Sequence, residues 1–403
     1  MGVRPEDLAC RRVQTAYGVL FGRPTRREDP VALPRLGSLG QALIMLPRLI
    51  TSGVLLLCTA LSAAAETIWR DASTLTIEGR GWTVAAAPFQ RLPEHAKASV
   101  PAHVWDLGRS SAGIAVRFTT QADHLDARWD LTSGSLAMPH MPATGVSGLD
   151  LYVREGNPGT WRFVQNGRPS TQLTNTVQFR LGSHPIAREY LLYLPLYNGV
   201  TRLDLGVDSP FTLDPIPATS STTNRKPIAI YGTSIVQGGC ASRPGLAWPA
   251  ILGRHLDRPV INLGFSGAGR MEPAVVDVLA ELDPSLFIVD CLWNIGDQPL
   301  PEIEARVTHL ASTLRQKHPL MPILFVGQSD IRNERHPTGP TRAQERAIQA
   351  LQAQGMKGLH VVGGNLLLGF DREGTVDGVH PNDLGMMRHA DALAPRVQAL
   401  IQP

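Results

Sequence analysis

The chain has 403 residues, long enough for two or three domains, and its 43% hydrophobic and 18% charged residues are the proportions of a globular protein, not of a disordered or fibrous one. The formal net charge is +3 and no basic run carries interleaved aromatics, which argues against a nucleic-acid partner.

Residues 1–44 contain Arg11-Arg12 and Arg26-Arg27 among scattered prolines and show no core pattern. From Met45 the text changes. Met45-Leu46-Pro47-Arg48 is a short positive start, Leu49 to Leu61 is apolar, and Ser62-Ala63-Ala64-Ala65 supplies small residues before Glu66. This is the build of a secretory signal, and the apolar run is short for a membrane span. The expectation is a leader over residues 1–65, with a signal peptide at about 45–65. Met45 is then a candidate start, cleavage falls near Ala65, the mature protein is periplasmic or secreted, and it has no stable membrane insertion. A retained N-terminal anchor is the competing reading. Leu57 is not the small residue that a lipoprotein signal wants before Cys58. Eight Arg and four acidic residues fall within the first 65, so the remainder carries a formal charge of −1. Cys240 and Cys291 remain beyond the leader, compatible with one disulfide or with two buried thiols.

Residues 66–215 read as β structure. Short, partly alternating runs such as Ile114–Phe118, His124–Trp129, Gly148–Val153, Trp161–Val164, Gln178–Leu181, Glu189–Leu194 and Val200–Val207 are separated by turn residues at the spacing of a sandwich or jelly roll. No helical period intervenes. Residues 216–226 read as a polar linker. From 227 to 403 the pattern alternates. Strands are predicted at Pro227–Tyr231, Val260–Leu263, Leu286–Asp290, Ile323–Val326 and Leu359–Val362. Helices are predicted at Trp248–Leu256, Pro273–Leu282, Pro301–Lys317, Thr341–Gln354 and about Asp383–Ile401. Such alternation means a parallel sheet covered on both faces.

In an open parallel sheet, sites gather at the C-terminal ends of the strands. Tyr231-Gly232-Thr233-Ser234-Ile235 follows the first strand, Asn262-Leu263-Gly264-Phe265-Ser266-Gly267 ends the second, Asp290-Cys291-Leu292-Trp293-Asn294 ends the third, and Asp377-Gly378-Val379-His380-Pro381 follows the last. A serine hydroxyl needs a base, His380 can serve near neutral pH, and Asp377 lies one local turn away, close enough to orient the ring. The N–H of Ser234, the N–H of Gly267 and the side-chain amide of Asn294 are candidate donors to an oxyanion. His309, His318, His336, His360 and His389 lack a partner at triad spacing and read as surface or structural, Asp383 reads as the cap of the last helix, and Asp290 as a loop-orienting residue. No Cys/His/Asp cluster has metal-ligand spacing, so neither metal nor cofactor is expected.

Taken together, Gly-Thr-Ser, Asn-Leu-Gly-Phe-Ser-Gly, Asn294 and Asp-Gly-Val-His resemble the four blocks of the SGNH (GDSL-like) hydrolases over roughly residues 226–402. The resemblance implies a flavodoxin-like three-layer α/β/α domain, with Ser234 as nucleophile, Asp377 and His380 as the base pair, and Ser234, Gly267 and Asn294 as the oxyanion hole. It departs at Thr233, where the family has Asp, and in the third block, which lacks the usual Gly-x-Asn-Asp. Gly148-Leu149-Asp150-Leu151-Tyr152 is similar to the Gly-x-Asp-Leu-Tyr motif of a β domain that precedes some exported bacterial SGNH esterases, and Tyr193–Gly199 fits the same group. Period 2 puts Leu149 and Leu151 on one side of that strand and Asp150 and Tyr152 on the other. The domain is then expected to be a packed accessory β sandwich that borders or partly covers the active site; a structural or carbohydrate-docking sandwich is the competing reading. The resemblance implies hydrolysis of short-chain, acetyl-type esters of small molecules or saccharides. A lipase, lysophospholipase or thioesterase is the enzyme alternative, and a carbohydrate-binding protein on a decayed hydrolase fold is the non-enzyme one.

Overall fold

The computed structural model describes residues 65–83, 87–156, 160–217, 225–329 and 336–401; the expected signal sequence lies outside these residues, as does most of the expected linker. The β region folds as two antiparallel sheets. One orders β1 (Thr67–Asp71), β9 (Val200–Asp208), β4 (His124–Leu131) and β7 (Asn175–Arg180). The other orders β10 (Asp214–Pro215), β3 (Ala115–Thr120), β8 (Arg188–Tyr193), β5 (Leu149–Glu155) and β6 (Thr160–Gly167), with β2 (Thr76–Glu78) also paired to β3. Strand β4 shows why the sheets stack: Leu125, Ala127, Trp129 and Leu131 are buried while the residues between them are half-buried. These side chains meet Val116 and Phe118 from β3, Leu149 and Leu151 from β5, and Leu203 and Leu205 from β9 in one apolar cluster.

Strands β1, β2 and β10 are short and escaped the sequence reading. Two helices also interrupt a region expected to hold none, α1 (Ala102–Gly108) and α2 (Ala143–Val146). At seven and four residues they are too short to display a 3.6-residue period.

The second half is a three-layer sandwich. Its five parallel strands, β11 (Ile228–Gly232), β12 (Val260–Gly264), β13 (Leu286–Asp290), β14 (Ile323–Val326) and β15 (Leu359–Val362), stand in the order β12-β11-β13-β14-β15. The central strands are buried throughout, which explains their continuous apolar runs. The two faces of β11 go to different cores. Ala229 and Tyr231 pack with α5 (Pro273–Leu279), α7 (Leu300–Lys317) and α8 (Gly339–Ala353), while Ile228 and Ile230 pack with α4 (Trp248–Leu256) and α9 (Asp383–Leu400). Two single-turn helices, α3 (Ser234–Gln237) and α6 (Leu292–Ile295), follow β11 and β13 at the sheet's C-terminal edge. Because β11 is flanked by β12 and β13, its C-terminal end lies at the point where strand order reverses, the usual place for a site in this class of sheet.

Asp383 and Asp290 take roles other than those expected, and Cys240 and Cys291 follow one of their two expected readings. The cap of α9 is Asn382, whose side chain accepts from the Gly385 N–H. Asp383 instead accepts from the N–H and hydroxyl of Ser242, at 2.8 and 2.6 Å. Cys240 and Cys291 are free thiols, both buried. Asp290, at the end of β13, is buried beside His389, which stacks on Trp248 at 4.6 Å. The 3.8 Å between His389 Nε2 and Asp290 Oδ2 is too long for a hydrogen bond. Burial pushes the Asp290 carboxyl up to about 7 and the His389 imidazole down to about 3, so the pair is favoured as neutral neighbours. In the unfolded chain Asp290 releases its proton near pH ~4. The folded protein keeps it to about 7, so this contribution to stability is complete below the lower value and is lost as pH rises through the upper one. Chemical denaturation of wild type and Asp290→Asn across this range should show the wild type losing stability relative to the variant as pH rises; a constant difference would refute the assignment.

Candidate active site

Strand β11 ends at Gly232 and the chain turns at Thr233 into α3. Thr233 has extended backbone, and its Oγ1 accepts from the Ile235 N–H at 3.2 Å. Threonine is thus doing the capping work for which aspartate is also suited, so the departure from the Gly-Asp-Ser pattern costs the turn nothing essential. Ser234 is the first helical residue. Its N–H has no intrahelical acceptor, as first-turn donors do not, and makes no hydrogen bond among the described residues.

Ser234 Oγ lies 2.8 Å from His380 Nε2, and His380 Nδ1 lies 2.7 Å from Asp377 Oδ2. A carboxylate on Nδ1 fixes the tautomer: the proton sits there, and the Nε2 lone pair faces the serine hydroxyl. The second Asp377 oxygen accepts from the N–H groups of Val379 and His380, at 2.9 and 2.7 Å. Partial burial alone would raise the Asp377 carboxyl. The His380 N–H, the His380 ring and the Val379 N–H outweigh it and hold the group down at about 2. Asp377 is therefore ionised wherever the imidazole can act as a base.

The other side of Ser234 is built from the ends of β12 and β13. Gly264 packs so closely on α3 that a Cβ there would stand 2.0 Å from the Gln237 nitrogen. Beyond it, the loop is pinned by Gln237, whose Oε1 accepts from the Ser266 N–H at 2.9 Å and whose Nε2 donates to Leu196 O at 3.1 Å. Gly267 follows with φ +68, the left-handed region that favours glycine. Its N–H makes no hydrogen bond among the described residues. Asn294 sits on α6. The hydrogen-bond network assigns its carboxamide: with the oxygen turned toward Ala268 and Gly269 it accepts from both N–H groups at 3.0 Å, and the NH2 is left to donate elsewhere. Ser234, Gly267 and Asn294 thus combine two uncommitted backbone donors with one oriented amide donor.

Several residues that support this arrangement were not singled out from the sequence. Buried Arg91 donates to Asn262 O, Gly264 O, Ser110 O and Leu107 O at 2.6 to 3.3 Å, and lies over the Phe265 ring at 4.9 Å. Burial, with no carboxylate among those partners, pulls its guanidinium down to about 9. The Tyr197 hydroxyl reaches Ser234 O at 3.4 Å, and burial pushes its phenol well above the ordinary range. Asp150 and Tyr152 face away from Leu149 and Leu151, as the alternation predicts, and grip the loop that follows Ser234 and α3. Asp150 Oδ2 accepts from Arg243 Nη1 at 2.6 Å and from the Gly245 N–H at 2.8 Å, while the Tyr152 hydroxyl meets Arg243 Nη1 at 2.6 Å. Arg91 carries no motif of its own, whereas Tyr197 falls in the flagged Tyr193–Gly199 segment and Asp150 and Tyr152 in the Gly-x-Asp-Leu-Tyr segment.

Replacing one oriented side-chain donor to a developing oxyanion costs about 10²–10³ in kcat. Asn294→Ala should show a loss of that size in ester hydrolysis with KM little changed; retention of full kcat would remove Asn294 from the site.

A family model described as GDSL-like Lipase/Acylhydrolase matches residues 225–398, and one described as the N-terminus of Esterase_SGNH_hydro-type matches residues 67–213. A crystal structure from Bacteroides ovatus ATCC 8483, described as a GDSL-like lipase, shares 32% identity and a TM-score of 0.75, covering 83% of this chain and 98% of that one. A salicylyl-acyltransferase from a tetracycline biosynthetic pathway shares the fold at 20% identity and a TM-score of 0.68, covering 84% and 98% of the two chains. A family two carbohydrate esterase from Cellvibrio japonicus does so at 12% identity and a TM-score of 0.54, covering 84% and 99%. No curated protein matches the sequence. With a full-length relative at this identity and both halves matched, the chain belongs to the GDSL-like lipase/acylhydrolase family and is an esterase-type hydrolase of SGNH fold.

Proposed function

We propose that the protein is an exported serine esterase that removes short acyl groups, acetyl above all, from saccharide alcohols. The observation that carries the reading is the unbroken chain from Ser234 Oγ through His380 to Asp377, at 2.8 and 2.7 Å. His380 Nε2 takes the hydroxyl proton as Ser234 Oγ attacks the ester carbonyl. The resulting oxyanion is held by the N–H groups of Ser234 and Gly267 and by Asn294. Collapse breaks the bond to the alcohol, which leaves with the proton returned by His380. Water then attacks the acyl-serine, giving its proton to His380; the carboxylic acid departs and Ser234 regains its hydrogen. Asp377 stays ionised throughout and stabilises the imidazolium.

The backbone beside His380 is tightly packed. The Tyr197 hydroxyl touches the Ser234 carbonyl, and a Cβ on Gly239 would fall 2.9 Å from that hydroxyl and 3.4 Å from the His380 ring. The saccharide half is supported by the β domain bordering the site and by the fold shared with a carbohydrate esterase. Export rests on the apolar stretch and small residues before Glu66.

Wild type should hydrolyse p-nitrophenyl acetate faster than p-nitrophenyl palmitate and release acetate from acetylated oligosaccharides, while Ser234→Ala should fall to background without losing its fold. Equal rates for wild type and variant would sink the serine mechanism and favour the binding-protein reading; a faster palmitate rate would favour a lipase. N-terminal sequencing of exported material should begin near Glu66, and a start near residue 1 would overturn the leader.

A further inference from the structure

The β-sandwich domain carries a hairpin finger over the catalytic side chains. Met138 and Met141 pair through two backbone hydrogen bonds, N–H to O at 3.0 and 3.1 Å, and leave Pro139 and His140 alone at the tip. The base of the finger is anchored in the other domain. Met141 is buried and Met138 partly so, in the apolar cluster that contains Ile235 and Val236, the two residues after Ser234. Just beyond, Gly145 lies so close to the nucleophile's loop that a Cβ there would stand 2.3 Å from Ala241 O, and Thr144 Oγ1 donates to Ser242 O at 2.6 Å. The tip is therefore held in place without being covered: Pro139 and His140 are exposed.

The His140 ring lies 6.1 Å from the His380 ring, centroid to centroid, at 44°. Among the described residues His140 makes no hydrogen bond within the protein, although its neighbours on the finger are fixed. In ester cleavage the imidazole that takes the serine proton must hand it to the departing alcohol oxygen, so the alcohol stands beside His380. The carbonyl oxygen is held elsewhere, by Gly267 and Asn294. An uncommitted imidazole flanking His380 consequently flanks the alcohol. Its two ring nitrogens, one donor and one acceptor when neutral, suit a hydroxyl neighbouring the ester and offer nothing to a hydroxyl-free leaving group.

We infer that His140, presented on this finger, is a specificity-determining residue that hydrogen-bonds the polyhydroxylated alcohol half of the ester. The inference rests on the esterase reading above and adds to it which domain reads the leaving group. It implies that the β domain completes the substrate site instead of merely accompanying it.

The test compares wild type, His140→Ala and His140→Gln on partially acetylated xylooligosaccharides, ethyl acetate and p-nitrophenyl acetate. Loss of one such hydrogen bond should lower kcat/KM for the oligosaccharide about tenfold, chiefly through KM. The two hydroxyl-free acetates should change less than about twofold, and Gln should restore part of the loss. A uniform loss on all three substrates would mean that His140 acts through His380 and would overturn the inference. So would no loss on any of them, or a wild type that cleaves ethyl acetate as well as the oligosaccharide ester. Failure of wild type on every acetate would instead sink the esterase reading itself.

Discussion

The carboxylate of Asp150 is fully buried, and the relation between the two domains depends on how that charge is accommodated. Burial drives its pKa up to about 6, and the Arg243 guanidinium and the Gly245 N–H work against that rise. Asp150 comes from the β sandwich; Arg243 and Gly245 come from the loop that follows α3, which begins at Ser234. Removing one member of such a pair typically costs about 3–5 kcal/mol, because the other is left as an uncompensated buried charge. The same loop is held by Thr144 from the β domain and by Asp383 from α9, both through Ser242. Ser234 is thus followed by a segment fixed from three directions, and a fixed segment is what lets its hydroxyl meet His380 without searching.

Similar bracing recurs on the other side of Ser234. Gln237, one helical turn after Ser234, holds the loop that presents Gly267, and Arg91 holds the end of β12 below it by four carbonyl oxygens. Donors fixed before the reaction need not reorganise when charge develops, which is why such supports matter to rate as well as to stability. Two of them, Arg91 and Tyr197, belong to the first half of the chain. The β sandwich therefore contributes side chains around Ser234, and its finger brings the His140 ring to 6.1 Å from the His380 ring.

Much of this was legible in the sequence where the signal is local. The strands Leu286–Asp290 and Ile323–Val326 and the helix Trp248–Leu256 show the same bounds in pattern and in structure, because buried parallel strands and an amphipathic helix write their environment into consecutive residues. The contact between Asp377 and His380 was legible because only two residues separate them and one turn joins them. Helices α1 and α2 were not legible, being shorter than the period that would reveal them. Asp383 was misread for a related reason: its position at the start of α9 suits a cap, but Asn382 caps and Asp383 is drawn to Ser242, a partner more than a hundred residues away.

By itself, the sequence determined the class of the fold, the strand ends at which chemistry gathers and the residue types able to perform it. Those follow from hydrophobic periodicity and from functional groups that keep their character in any context. The tertiary structure alone decided that Ser234 and His380 stand at hydrogen-bond distance and that the Asn294 side chain lies beside the N–H groups of Ala268 and Gly269. It also decided that two thiols stay unpaired and that Arg91, Tyr197, Asp150 and His140 from the first domain surround a site carried by the second. The physical reason is range. A period or a turn is set by residues a few positions apart, whereas a buried ion pair or a fingertip beside a catalytic ring is set by how two separately patterned surfaces pack, and no short stretch of sequence encodes that packing.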